Sequence, residues 1–260
     1  MSVAMSCVSG IVGLCFIIQL QVKKGRNGAA LDSNTHSGMR TPELPAMKNV
    51  QLKLVSFDLD GTILRGRILD YAGIPKALHR KIQETDSLMD QGKIGYEESL
   101  QVEYALFSGM RVDAIAPDPN KLPLINDLKE TVEKLRNVGV RVVILTDNPS
   151  FAAEPLKTYG FQDIIASEAE ISNGVLTGAT KLLANKLVGL REYCARHGIE
   201  LSSCAHVGDW INDIVVFKNV GLSVAFNPSD ENVSKAATHT VNSDSLLDVY
   251  RVLEPNLPAR

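Results

Sequence analysis

Asp58 and Asp60 follow directly on the mostly apolar run Leu52 to Phe57, in the stretch Asp58-Leu59-Asp60-Gly61-Thr62. Strand side chains alternate, so the two carboxylates share one side of a strand end if the backbone stays extended through Leu59. Such a pair suits phosphoryl transfer. One carboxylate attacks phosphorus, and the other hands a proton to the leaving group and later takes one from the hydrolytic water. Gly61 is expected to let the chain turn close to a bound anion. An acidic turn or calcium loop is the plainer alternative, but no ligand series continues through Thr62, Ile63 and Leu64.

From Leu52 onward the pattern alternates strand and helix, as a parallel sheet covered on both faces requires. Strands are expected at 52–57, 140–146, 205–207 and 223–226. Helices are expected over 122–138, 152–159, 183–197, 211–220 and 244–253. Asn173-Gly174, between Glu170-Ile171 and Val175-Leu176, is a hairpin signal. Residues 68–112 read as helices broken at Gly73-Ile74-Pro75 and Gly92-Lys93-Ile94-Gly95, a small helical cap inserted into a core of 51–67 and 113–260.

Ligands of such sheets bind beyond the carboxyl ends of the strands. Asp58, Thr146 and Asp209 each follow an apolar strand, so three chain segments deliver polar groups to one edge. A phosphate set among Asp58, Asp60 and Asp209 needs positive charge beside it. Mg²⁺ supplies it as a hard cation bound by oxygen.

The order of these motifs resembles the haloacid dehalogenase-like superfamily, and within it the phosphoserine phosphatase type. Asp58, Asp60 and Thr62 match the first motif, Thr146 the second, Lys186 the third, and Gly208-Asp209-Trp210-Ile211-Asn212-Asp213 the fourth. The resemblance implies a Rossmann-like α/β core with a helical cap and a phosphatase working through an aspartyl-phosphate. Asp58 is then the nucleophile and Asp60 the acid and base. Asp58, the backbone carbonyl of Asp60, and Asp209 hold Mg²⁺, with Asp213 in support. Thr146, Asp147, Asn148, Lys186 and Asn212 surround the phosphate, and Lys181 is the alternative third-motif lysine. The second aspartate argues against dehalogenation. A phosphotransferase on the same scaffold and a noncatalytic regulatory binding protein are the alternatives.

The cap departs from the phosphoserine phosphatase pattern. Arg67 stands where that family has the glutamate that reads the substrate amino acid, and Glu103 where it has the carboxylate-binding arginine. Asp147 and Asn148 replace two small glycines. The expectation is a small phosphorylated metabolite, a sugar phosphate or another anionic phosphoester rather than phosphoserine, with a zwitterionic phospho-amino acid bound in reversed orientation by Arg67 and Glu103 as the alternative. An ordinary surface ion pair between Arg67 and Glu103 is the plain alternative. His206 is expected to be packed or hydrogen-bonded rather than catalytic, and Trp210 to line the entrance.

The 260 residues, 45% of them hydrophobic, suffice for one α/β domain with an insertion. A formal net charge of -3 gives no basic face for nucleic acid. Cys7, Cys15, Cys194 and Cys204 lack metal-site spacing and point to neither zinc nor a disulfide framework, so a reducing, cytoplasmic setting is the default. Residues 1–50 read as an extension. Within it, 8–22 is apolar but interrupted and short for a membrane span, with Lys23-Lys24-Gly25-Arg26 behind it. A membrane anchor there, with the catalytic domain facing the cytoplasm, is the alternative to a flexible segment or an over-long start.

Overall fold

A computed structural model describes residues 51–183 and 185–259. The expectations for the extension and its apolar run therefore lie outside the described residues. Seven strands are present: β1 Leu54–Phe57, β2 Arg141–Pro149, β3 Asp163–Ser172, β4 Val175–Lys181, β5 Cys204–Gly208, β6 Leu222–Phe226 and β7 His239–Val241. They form one sheet in the order β4-β3-β2-β1-β5-β6-β7, parallel throughout except for the β3/β4 hairpin. This is the α/β architecture the alternating pattern called for.

Alternation along the central strands assigns each apolar side chain to one of two cores. Val55, Phe57, Val142, Ile144, Ala205 and Val207 pack with Val132 and Leu135 of the helix Leu128–Asn137 and with Val249 and Leu253 of the helix Leu247–Leu253. Leu54, Val143, Leu145 and Cys204 face the other way, against Leu187, Leu190 and Tyr193 of the helix Lys186–His197. A sheet buried on both faces reads as nearly continuous apolar runs, which is why β1, β2 and β5 stand out in the sequence. Cys194 and Cys204 are both free, with their Sγ atoms 3.5 Å apart.

Several elements differ from expectation, for local reasons. The helix expected from 122 starts at Leu128, after Pro123 and after Asp127 adopts φ 61°. Instead of one helix over 152–159, Ser150–Ala153 is α-helical and Glu154–Tyr159 is 3₁₀, with Pro155 at the change. Instead of one helix over 211–220, a 3₁₀ turn at Ile211–Asp213 leads into the short helix Ile214–Phe217. Strand β7 and the helix Glu231–Ala236 were not anticipated. β7 has three half-buried or exposed residues and lies at the sheet edge, so it lacks an apolar run.

The segment 68–112 holds a 3₁₀ turn at Ile68–Tyr71, then the helices α1 Lys76–Asp90 and α2 Tyr96–Ala105. Asn173 and Gly174, at φ 52° and 78°, close the β3/β4 hairpin as their residue types suggest. β3 pairs parallel to β2 through its first half and antiparallel to β4 through its second. The hairpin then joins the chain that leaves α2. Gly109 N donates to Leu176 O at 2.8 Å, Leu176 N to Met110 O at 2.9 Å, and Val112 N to Gly174 O at 3.0 Å. Among the described residues no helix is long and apolar enough to cross a membrane.

Candidate active site

The residues that follow β1 and β5 and residues 146–148 within the last part of β2 line one cavity of about 380 Å³. Asp58 N donates to Val207 O at 2.8 Å, so the nucleophile candidate continues the β1/β5 pairing by one residue. The chain then turns back, with Gly61 N bonded to Leu64 O. Gly61 has φ +78°, and a Cβ there would stand 2.2 Å from Asp209 Oδ2. The anion that approaches Gly61 is thus the protein's own carboxylate, a refinement of the bound anion expected from the sequence. Thr62 fixes that carboxylate from the same turn, donating from Oγ1 to Asp209 Oδ1 at 2.9 Å.

Asp58, Asp209 and Asp213 can bring one ligand oxygen each within 4.8 Å of one another. Lys186 is the cation among them. It is 1% exposed, with Nζ 2.7 Å from Asp58 Oδ1 and 2.6 Å from Asp213 Oδ1. Lys181, the alternative, lies on the surface beside Glu168. Burial works against the charge on Lys186, yet Asp213 and Asp58 hold its pKa well above the ordinary lysine value. Burial likewise opposes the charge on Asp213, but Lys186 and His206 outweigh it and hold that carboxyl well below its usual range.

All four acceptor positions of Asp213 are in use. Oδ1 takes Lys186 Nζ and His206 Nε2, and Oδ2 takes the backbone amides of Asp209 and Trp210, each at 3.0 Å. Gly208 permits this approach, since a Cβ there would lie 2.3 Å from Asp213 Cγ. Asp58 and Asp209 are different. Among the described residues each has one oxygen engaged, by Lys186 and Thr62 respectively, and one without a protein hydrogen bond. Burial pushes Asp209 up to about 6, against the Thr62 hydrogen bond. Burial also raises Asp58, against Lys186. These are hard anionic oxygens whose charge calls for a cation.

Asp60 points elsewhere. Its Oδ1 accepts from Ile68 N at 2.8 Å, where the helical segment begins, and its Oδ2 from Asn148 Nδ2 at 2.9 Å. Burial raises its pKa, with these two hydrogen bonds opposing. Thr146 Oγ1 accepts from Asn148 N and Nδ2, which leaves the threonine hydroxyl proton free to point outward. Asp147 Oδ2 accepts from Tyr96 OH and Asn212 Nδ2, each at 2.8 Å. Asn212 Oδ1 in turn lies 3.4 Å from Lys186 Nζ.

Arg67 and Glu103 both line the cavity, and their separation is 3.6 Å. The surface-pair reading fails because Glu103 is only 3% exposed. Sequence reasoning missed Asp86 of α1, which pairs with Nη1 of Arg67 while Glu103 lies near Nη2. Nothing in the sequence ties residues 19 apart across a turn. Tyr96, Ser99 and Glu103 also line the cavity, and their i, i+3, i+7 spacing on α2 was a usable signal. His206 is fully buried, with Nδ1 2.9 Å from Ser56 Oγ, and Trp210 is half-exposed at the cavity wall. Both match the sequence reading.

A model of the haloacid dehalogenase-like hydrolase family matches residues 55–218. A phosphoserine phosphatase of Archaeoglobus fulgidus is 28% identical over 216 residues, which are 81% of this chain and 62% of that one. A phosphoserine phosphatase of Methanocaldococcus jannaschii is 26% identical over 67% of this chain and 85% of its own. The chain thus spans under two thirds of the length of the Archaeoglobus relative. Among solved structures, a probable phosphoserine phosphatase of Vibrio cholerae superposes with TM-score 0.65 at 22% identity, over 81% of this chain and 68% of that one. A phospho-aspartyl intermediate analogue of phosphoserine phosphatase gives 0.61 at 22% identity, over 78% and 99%. At these identities the structural likeness concerns the fold.

Proposed function

The chain belongs to the haloacid dehalogenase-like hydrolase family, and from that membership we propose that it is a magnesium-dependent phosphomonoesterase acting on a small phosphorylated metabolite. One observation carries the reading. Asp58 sits at the end of β1 with one oxygen held by a buried lysine and the other unbonded toward a cavity of metabolite size. The phosphoserine phosphatases among its relatives support it, and a phosphoserine phosphatase solved as a phospho-aspartyl intermediate analogue shares the fold. We take 68–112 as the cap and 51–67 with 113–260 as the core.

Asp58 attacks phosphorus in line with the leaving oxygen, and the P–O bond to the leaving group breaks as the aspartyl-phosphate forms. Lys186 keeps the Asp58 carboxylate in one orientation and adds positive charge beside the phosphoryl oxygens. The Thr146 hydroxyl, its acceptor sites filled by Asn148, donates to one of those oxygens. Asp60 gives its proton to the leaving alkoxide. Water then attacks phosphorus, Asp60 takes the proton back, phosphate leaves and Asp58 is restored. Desolvation raises the Asp60 pKa in the direction a proton donor needs.

Mg²⁺ fits the donors present: the unbonded oxygens of Asp58 and Asp209 with the backbone carbonyl of Asp60 would hold it, and it would offset phosphate–carboxylate repulsion. Asp213, its acceptors already filled, fixes the loop of Asp209 instead of adding a ligand.

The test is phosphate release from p-nitrophenyl phosphate and a panel of metabolite phosphomonoesters, with and without Mg²⁺. Release that requires both Mg²⁺ and Asp58 is expected. Equal release by Asp58→Asn, or release indifferent to Mg²⁺, would overturn the reading.

A further inference from the structure

Part of the cavity wall is built around the guanidinium of Arg67 with two carboxyls on it. Arg67 is bonded to Asp86 through Nη1 and lies 3.6 Å from Glu103 through Nη2. Arg67, Asp86 and Glu103 all line the cavity, and among the described residues the other cation of the site, Lys186, is held by Asp58 and Asp213. One guanidinium serves two carboxyls, so the cluster is one cation short, and Glu103 meets the deficit by keeping a proton. Asp147, 7% exposed, adds another carboxylate nearer the floor.

Two consequences follow from elementary electrostatics. The guanidinium already has its carboxylate partners inside the protein, so a substrate carboxylate would have to displace one of them and would meet the other's repulsion. A substrate cation meets the opposite situation. An ammonium beside Asp86 and Glu103 would supply the charge the cluster lacks and donate N–H bonds to carboxylate oxygens. Burial, with Asp86 as a like-charged neighbour, holds the Glu103 carboxyl up to about 8 despite Arg67, as expected of a site short of one cation. The half-exposed Trp210 ring on the cavity wall suits the same kind of group.

Resting on the phosphatase reading above, we infer that the substrate is the phosphomonoester of a short amino alcohol, carrying a primary ammonium and no carboxylate, with its phosphate at Asp58 and its ammonium between Asp86 and Glu103. A cavity of about 380 Å³ holds a phosphate and a short aminoalkyl chain. A primary ammonium is preferred to a quaternary one because Glu103 and Asp86 are hydrogen-bond acceptors.

The test is kcat/KM with Mg²⁺ for five esters: 2-aminoethyl phosphate, its trimethylammonium counterpart, O-phosphoserine, phosphoglycolate and glycerol 1-phosphate. p-Nitrophenyl phosphate reports the chemistry independently of recognition. The expected result is 2-aminoethyl phosphate ahead of each of the others by tenfold or more. Glu103→Gln should lower kcat/KM for 2-aminoethyl phosphate by at least tenfold more than for glycerol 1-phosphate or p-nitrophenyl phosphate. Asp86→Asn, at a more exposed position, should show the same selective loss if Glu103→Gln fails to fold. A lead for phosphoserine, phosphoglycolate, the quaternary ester or glycerol 1-phosphate would overturn the inference alone, as would variants that slow all substrates equally. Absence of release from every ester, p-nitrophenyl phosphate included, would overturn the phosphatase reading beneath it, and the inference with it.

Discussion

Gly61 meets two demands that no other residue type satisfies together. Its φ of +78° costs a side-chain-bearing residue about 1–3 kcal/mol, and the missing Cβ leaves room for Asp209 Oδ2. Gly61→Ala should therefore lower the melting temperature and, by displacing Asp209, raise the Mg²⁺ concentration for half-maximal phosphate release several-fold. A wild-type Mg²⁺ curve in a destabilised variant would detach Asp209 from the metal. Asp58→Asn should lose roughly a thousandfold or more in kcat with little change in thermal unfolding, since its side chain ends in the cavity and not in a core. Asp60→Asn should slow alkyl phosphates by about 10²-fold or more and p-nitrophenyl phosphate far less, because a good leaving group needs no proton. Equal slowing across such a series would remove Asp60 as the acid. That Asp58, Thr146 and Asp209 converge was legible because each follows an apolar strand, whereas Lys186 and Asp213 were named only through the resemblance and the structure brings them beside Asp58 and Asp209. Asp86 was not legible, because its partnership with Arg67 exists only once the chain between residues 67 and 86 has folded.

At the scale of elements, the active-site lysine depends on how a helix begins. Asn185 caps Lys186–His197 by accepting from Val188 N at 3.0 Å, and Gly198 closes the helix at φ +64°. Lys186 is the first helical residue, so the cap sets where its side chain starts. Asn185→Ala should cost about 1 kcal/mol in urea unfolding and lower kcat, whereas Asn185→Asp should restore both. A destabilised Asn185→Ala protein with normal kcat would separate the cap from the lysine. The buried central strands were readable as apolar runs. The 3₁₀ turns after β2 and β5 were not, because their residues satisfy a helical pattern equally well while Pro155 and the demands of Asp213 shorten the helices. β7 has no period to read and forms only because β6 offers it an edge.

For the molecule as a whole, Glu103 makes stability depend on pH. Its carboxyl titrates at about 8 in the folded chain against an ordinary value of 4.5, so the folded state keeps a proton that the unfolded chain releases first. That contribution is complete below the unfolded value and is lost as pH rises through the window to about 8. Glu103→Gln, which cannot ionise, should show a flatter fall in unfolding free energy between pH 5 and pH 8 than the wild type, by up to a few kcal/mol. Identical slopes would place the proton elsewhere. The parallel sheet, the inserted helices and the common edge of Asp58, Thr146 and Asp209 all followed from alternation and connection length. The parallel first half of β3 did not, because Ile164-Ile165 gives too short an apolar signal beside the half-exposed remainder of the strand.

β3 pairs with β2 through its first half and with β4 through its second, and its hairpin holds residues 109–112, at the end of the proposed cap, by three main-chain bonds. A lid hinged at both ends of 68–112 would have to shear those bonds at every turnover, at about 0.5–1.5 kcal/mol each before any apolar surface is uncovered. The roof is thereby braced like a truss, and traffic falls to the doorway, where Trp210 and Ile211 stand half in solvent. Amide exchange at Gly109, Val112 and Leu176 should accordingly be as slow as at the centre of β2. Fast exchange there would mean that the brace swings with the lid. On the proposed function, metabolite entry and phosphate exit would then be matters of side-chain rotation at one threshold, with Asp58 and Asp60 kept from bulk water meanwhile.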